Sequence, residues 1–317
     1  MTEAKTLRHI ELKQHPYARS NDPTLLKFLG IIREKQPDKT MVRDFFGTRR
    51  LAKDCNCRKS KHIAQAVRKS KDIEQQTGKP FTFLTVTNAA ALKINHTRCA
   101  MDFGQHPRIR NAKEWMIPGD PKHGGGYLVP VPGMRIRLTR NVDKQRGFVN
   151  GALAEIEYVL HRRVFIAKTP RGVRMLVHPV AYEEHGTYSF MPFSYGYAMT
   201  IRRAQGSTTD QVALWFDHKY AAERGYGYVG ASRVRAARGL YLMGKVKRSD
   251  WLPVGQPTED EQLQRGYDSA ITSDSDFGSE DPGMTSSDDD EDQGMTDDSA
   301  ETTDDEDYGQ SSADSDL

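Results

Sequence analysis

The sequence predicts an α/β domain with a small β-rich insert, followed by a disordered acidic tail. Three observations point there. A short apolar run, Phe81 to Thr87, passes at once into a helical pattern. Several short alternating strands crowd the middle of the chain. The charge changes sign near residue 258.

Asp22-Pro23 marks the first helix start, with Asp22 as N-cap and Pro23 at the first helical position. Leu25, Leu26, Leu29 and Ile32 then share a face, and Pro37 ends the pattern. Phe81 to Thr87 (FTFLTVT) reads as a buried strand, and Asn88 as the cap of a helix over Ala89 to Asn95. Met134, Ile136 and Leu138 alternate with Arg135, Arg137 and Thr139, a half-buried strand with its polar side outward. Asn150-Gly151 is a turn signal. Ile156 to Leu160, Val164 to Lys168 and Val173 to Val177 follow as strands, with Pro170-Arg171-Gly172 as a turn, so this region reads as a small inserted barrel or ribbon. Gln211 to Phe216 and Leu240 to Met243 return to the buried-strand type.

The whole chain has 317 residues and a net charge of +3, but the near-neutrality hides a split. Residues 258–317 hold 22 acidic residues and one basic residue, Arg265, which leaves a net +24 on residues 1–257. A basic body joined to an acidic tail points to a nucleic-acid partner. The tail is rich in Asp, Glu, Ser, Thr and Gly, so it cannot bury enough apolar surface to offset its ordering entropy. No apolar run is long enough for a membrane helix, and MTEAKTLRHIELKQ lacks the apolar core of a signal peptide. Three cysteines make no disulfide framework, which fits a reducing compartment.

Asp54-Cys-Asn-Cys57, with His62 and Cys99, invites a zinc reading. Cys55 and Cys57 are too close for the usual ligand pair and no second pair follows, so no metal site is expected. Gly124-Gly125-Gly126 lacks the following Lys-Ser or Lys-Thr of a phosphate cradle and reads as a loop. Two stretches carry more chemistry. Thr200-Ile-Arg-Arg-Ala-Gln-Gly-Ser-Thr208 sets cations, a polar turn and a hydroxyl just ahead of a strand, which suits phosphates; the bland alternative is a surface turn. In Tyr226-Gly-Tyr-Val-Gly-Ala-Ser-Arg-Val-Arg235, a short helix turns Tyr228, Ala231 and Ser232 inward while Arg233 points elsewhere, as an arginine finger does.

These stretches resemble motifs V and VI of superfamily 1B DNA helicases of the petite-integration-frequency (Pif) type, relatives of RecD. Of the pattern Thr-Ile-His-Lys-Ser-Gln-Gly-x-Thr the chain keeps Thr200, Ile201, Gln205, Gly206 and Thr208, with Arg202, Arg203 and Ala204 replacing the triplet. Of Tyr-Val-Ala-Leu-Ser-Arg-Val it keeps Tyr228, Val229, Ser232, Arg233 and Val234. FLTVTNAAALKIN resembles the segment with a Thr-Asn pair, here Thr87 and Asn88. VPGMRIRLTRNVDKQRGFVNGALAEIE resembles the entry to the small barrel, and Arg19 matches the arginine of an N-terminal Leu-x-x-x-x-Arg-Gln segment.

The resemblance implies a second RecA-like helicase domain: its first part at 1–140, a small β-barrel insert at 141–191, its last part at 192–257, and the acidic tail at 258–317. It implies Arg233 as the catalytic arginine. Arg19, Gln205 and Gly206 would bind nucleotide. Thr87, Asn88, Thr200, Arg202, Arg203 and Thr208 would hold DNA or couple it to the nucleotide cleft. ATP and Mg²⁺ are the implied cofactors, single-stranded DNA and a separate first RecA-like domain the implied partners, and the nucleus or mitochondrion the implied setting. Gly-x-x-x-x-Gly-Lys-Ser/Thr is absent, so no Asp-Glu pair follows one, and the chain reads as the C-terminal half of a motor that hydrolyses no ATP alone. A second reading is a non-catalytic nucleic-acid-binding module of helicase descent. A third is an acidic, chaperone-like protein acting through its tail.

Overall fold

The five residues Phe81–Thr85 are all buried, as a strand covered on both faces requires. In the computed structural model, which describes residues 19–53, 60–123, 126–181, 189–217 and 223–255, this strand lies inside a parallel sheet. The order across the sheet is Arg50–Leu51, Leu240–Met243, Gln211–Trp215, Phe81–Thr85, Ala198–Thr200. Phe81 and Phe83 face the helices Ser60–Thr77 and Asn88–Phe103. Leu84, Val212, Leu214 and Leu242 face the helices Pro23–Glu34, Lys39–Phe46 and Tyr226–Ala231. The result is a three-layer α/β/α body.

The first helix starts as the sequence predicts. Asp22 accepts from the Thr24 and Leu25 amides at 2.9 and 3.2 Å, and Pro23 opens the helix. Its inward face is Leu25, Phe28 and Ile32, whereas Leu26 is exposed, because one residue along a helix turns about 100° away from its neighbour. Trp251 closes this layer. Its indole meets Phe28, Phe46 and Phe216 with ring centroids 5.4 to 5.8 Å apart, and each such pair adds about 0.5–1.5 kcal/mol beyond the area it buries.

The central strand is shorter than predicted. Val86 and Thr87 leave the ladder, and Thr87, not Asn88, caps the next helix by accepting the Ala90 amide at 3.2 Å. That helix runs to Phe103, well past Asn95. The Asn95 carboxamide is buried and clamps the backbone entering Ala198–Thr200: Oδ1 accepts from the Tyr197 and Ala198 amides, and Nδ2 donates to the Ala198 carbonyl.

The middle of the chain forms a five-stranded antiparallel sheet in the order Phe193–Tyr195, Arg135–Leu138, Leu153–His161, Val164–Lys168, Arg174–Val177. Its core holds Met134, Ile136, Leu138, Ile156, Phe165 and Val177. Gly172 has φ +84 in the turn after Pro170, where the Gly172 amide closes on Thr169 at 2.8 Å. The sheet reaches past 141–191 on both sides, because Arg135–Leu138 needs a partner on each edge and finds the second one in Phe193–Tyr195. Arg137 and, just past the strand, Thr139 are buried rather than outward, so this polar side is covered as well. No described helix is long and apolar enough to cross a membrane.

Arg135 joins the insert to the body. Its guanidinium donates to Glu74 at 2.7 Å and to the Phe81 carbonyl at 2.7 Å. Arg98 meets the other oxygen of Glu74 at 2.6 Å and Asp102 at 2.5 Å, and Lys71 completes the group at 2.7 Å from Asp102. Burial works against the Glu74 carboxylate, but Arg135, the Phe81 amide and Arg98 outweigh it and hold its pKa below the usual value.

Candidate functional site

Parallel pairing dictates where the loop after Ala198–Thr200 must go. Thr200 is opposite Thr85 at the carboxyl ends of two strands, whereas Gln211 starts its strand opposite Phe81 at the amino ends. The segment between them therefore crosses the full length of the sheet. It does so as consecutive turns, with Ala204 bonding back to Thr200 and Ser207 to Ala204 at 3.1 and 3.0 Å. Ile201 and Ala204 are fully buried and pin the loop. Arg202, Gln205, Gly206 and Thr208 are left exposed. Gly206 has φ +87 with open space around it, a conformation that favours glycine and lets a ligand approach the backbone.

The far end of the loop meets the segment after the helix Tyr226–Ala231. Gly227 and Gly230 let that helix lie on the sheet, since a Cβ at Gly230 would stand 2.6 Å from Leu214 and one at Gly227 2.7 Å from Trp251. Arg233 follows the helix and is buried, against the expectation that it points away. Its guanidinium folds back to donate to the Val229 carbonyl at 2.7 Å, the Ala204 carbonyl at 3.4 Å and the Ser232 hydroxyl at 2.6 Å. The helix ends just before it, so its free carbonyl end attracts the cation. Arg19 stands beside it, donating to the Thr208 hydroxyl at 3.0 Å and the Ser232 carbonyl at 2.7 Å. Burial, and then Arg19, push the Arg233 pKa down to about 10. Among the described residues no carboxylate pairs with either arginine. Arg233 has five N–H groups and three protein acceptors here, so donors remain for an anion.

The near end of the loop has different neighbours. Arg202 is exposed and holds Glu223 at 2.8 Å. Arg203 is half-buried and donates to the Lys122 carbonyl at 2.5 Å. Thr87 is tied to Asp217, whose carboxylate accepts from the Val86 and Thr87 amides at 2.7 and 3.2 Å and from the Thr87 hydroxyl. Asn88 is exposed and lines a cleft together with Arg203 and Arg137. The structure thus brings Thr87, Asn88, Thr200, Arg202 and Arg203 to the carboxyl ends of the strands. It brings Arg19, Gln205, Gly206, Thr208 and Arg233 toward the amino ends, so Thr208 stands with the arginines and not with Thr87.

Sequence reasoning missed Asp217 and Asn95, although a carboxylate just after a buried strand was a usable signal. Cys55, Cys57, Gly124, Gly125 and the acidic tail lie outside the described residues. His62 and Cys99 join no group of three His, Cys, Asp or Glu side chains among the described residues.

No protein-family model matches the chain. It is 32% identical over 129 residues to "ATP-dependent DNA helicase Pif1" of Bdellovibrio bacteriovorus, covering 38% of this chain and 28% of that relative. It is 28% identical over 130 residues to "ATP-dependent DNA helicase PIF1" of Danio rerio, covering 35% of this chain and 18% of that one. The matched stretch therefore spans less than a third of either relative. Solved structures with similarity include Pif1 helicase from Bacteroides with ADP-AlF3 and single-stranded DNA, at TM-score 0.49, 18% identity, 81% of this chain and 56% of that one. Pif1 helicase from Candida albicans gives TM-score 0.47, 16% identity, 78% and 58%. On its sequence matches, the chain is related to the Pif1-type helicases over part of their length.

Proposed function

We propose that the chain is the C-terminal motor half of an ATP-dependent DNA helicase that tracks single-stranded DNA from 5′ to 3′. The observation that carries the reading is the loop from Thr200 to Asp210, which runs from the carboxyl ends of the strands to their amino ends. At one end it presents Thr200, Arg202 and Arg203 beside Thr87 and Asn88, for the DNA backbone. At the other, Gln205 and Gly206 lead to Arg19, Thr208 and Arg233, for the nucleotide phosphates. Two guanidiniums without a carboxylate between them fit the charge of a γ-phosphate. The nucleotide supplies the energy of the cycle when bound. Arg233 stabilises charge that develops on the transferred group, and the loop transmits the change to the DNA at the carboxyl ends of the strands. The phosphate cradle and the magnesium ligands come from a separate RecA-like domain. In this reading the antiparallel sheet is the small barrel of that motor half, and the acidic residues of 258–317 lower the net attraction of the chain for DNA.

The test is ATP hydrolysis with single-stranded DNA, by the chain alone and mixed with a separately produced RecA-like domain that carries the cradle. The chain alone should be silent, and the mixture should turn over in a way that Arg233→Ala abolishes. Turnover by the repurified chain alone, lost on Arg233→Ala, would overturn the division of labour. One observation favours a second reading, a non-catalytic nucleic-acid-binding module: Arg233 is folded back onto its own chain. A mixture that stays silent while the chain still binds DNA would select that reading. Removing residues 258–317 should tighten DNA binding at low salt, with a gap that shrinks as salt rises.

A further inference from the structure

The strand Arg135–Leu138 buries a charge that no described residue neutralises. Arg137 is 7% exposed, and its Nη1 donates to the Gly151 carbonyl at 2.7 Å. Its Nε and Nη2 are buried and find no acceptor among the described residues. Burial, and then Arg135, push its pKa down to about 10, so it stays charged near neutrality. Arg137 lines a cleft between the helix Asn88–Phe103 and the antiparallel sheet, with Asn88, Asn95, His123 and Arg203 also on its wall. The one carboxylate there among the described residues, Asp120, is already shared by Arg140 at 2.9 Å and His123 at 3.2 Å. A buried guanidinium with two idle donors is costly unless an anion reaches it.

We propose that this cleft is a seat for a single phosphate-type oxyanion, held by the idle Nε and Nη2 of Arg137 with Arg203 at its rim. Nε and one Nη of an arginine form the fork that takes two oxygens of one phosphate. The cavity, about 40 Å³, suits such a group. It is far below the ~150 Å³ that an engineered apolar cavity needs to take a benzene ring, so a base is excluded. The anion comes from a polynucleotide backbone or from a free phosphate. Asn88 and Arg203 favour the backbone, a choice that rests on the DNA reading above, while the anion seat does not.

The experiment uses the full chain, with Arg137→Met and Arg137→Gln; the glutamine keeps a donor for the Gly151 carbonyl. Melting is followed in low-millimolar inorganic phosphate against chloride at matched ionic strength. Phosphate should raise Tm in the parent and in an Arg233→Ala protein, which lacks the other arginine cluster's finger, and should no longer do so once either Arg137 substitution is added to Arg233→Ala. Binding of a single-stranded oligonucleotide is then measured against salt. Removing one bound phosphate from the interface should lower the log–log slope by about 0.7 in both Arg137 variants. An abolished Tm shift with an unchanged slope keeps the seat and assigns it to a free phosphate. A Tm shift that survives in the double variants overturns the proposal, as does its absence from the Arg233→Ala protein. If neither Arg137 variant folds, the Arg233→Ala measurement decides alone. If the parent binds no DNA, the nucleic-acid reading fails while the phosphate arm still reports on the seat.

Discussion

Around Glu74, two arginines share one carboxylate and the group is closed: Arg98 and Arg135 take its two oxygens, and Asp102 adds a second negative charge. Around Arg233, two arginines stand side by side with only carbonyls and hydroxyls to hold them. Both groups are partly buried and both join segments far apart in sequence. The first spends its charge inside the protein and acts as a latch between body and insert. The second keeps its charge uncompensated, which is poor design for stability and good design for meeting an anion. Arg137 repeats the second pattern in the insert.

The largest expected effect breaks the latch. Glu74→Ala leaves the buried Arg98 and the partly buried Arg135 without their shared partner and should cost about 3–5 kcal/mol, read by denaturant unfolding. If the cost is no more than that of Arg233→Ala, the contrast between the groups is wrong. A bulkier residue where the helix Tyr226–Ala231 lies on the sheet comes next. Gly230→Val drives a side chain into Leu214 and should cost about 1–3 kcal/mol by overpacking, and should displace the Arg233 segment with it. Removing Arg233 itself should change stability by no more than about 1 kcal/mol, since the missing hydrogen bonds are offset by the removal of an unneutralised charge.

The pH dependence sharpens the same comparison. The native pKa of Glu74 is depressed below its unfolded value of 4.5. Its contribution is therefore full above that value and disappears as pH falls through the lower native pKa. Unfolding of Glu74→Gln should lack this acid limb, while Arg233→Ala should keep it. The smallest effect concerns the exposed end of the loop. Arg202→Ala with Arg203→Ala should reduce the salt slope of single-stranded DNA binding by about 0.7 for each phosphate that the pair neutralises. An unchanged slope removes them from the interface.

Much of the body was legible because its signals are local. Asp22-Pro23 caps a helix through its own amides, Leu240–Met243 is a strand because it has no polar face, and Pro170-Arg171-Gly172 turns because Gly172 accepts φ +84. The charge split and the two loop motifs needed only the order of residues. What the sequence could not decide is which side of a residue is covered. Arg135, Arg137 and Thr139 read as the wet side of a strand, yet Glu74 of the helix Ser60–Thr77 meets Arg135 and the helix Asn88–Phe103 walls the cleft that Arg137 lines, so one arginine becomes a latch and the next a buried, half-partnered cation. Arg233 reads as a protruding finger at the end of a helix, but tertiary contact with Ala204 and its own helix end turns it inward. Local periodicity tells which faces a strand has. Burial depends on what packs there from distant parts of the chain, and for a charged side chain that alone decides whether its hydrogen bonds go to water, to the protein or to a ligand.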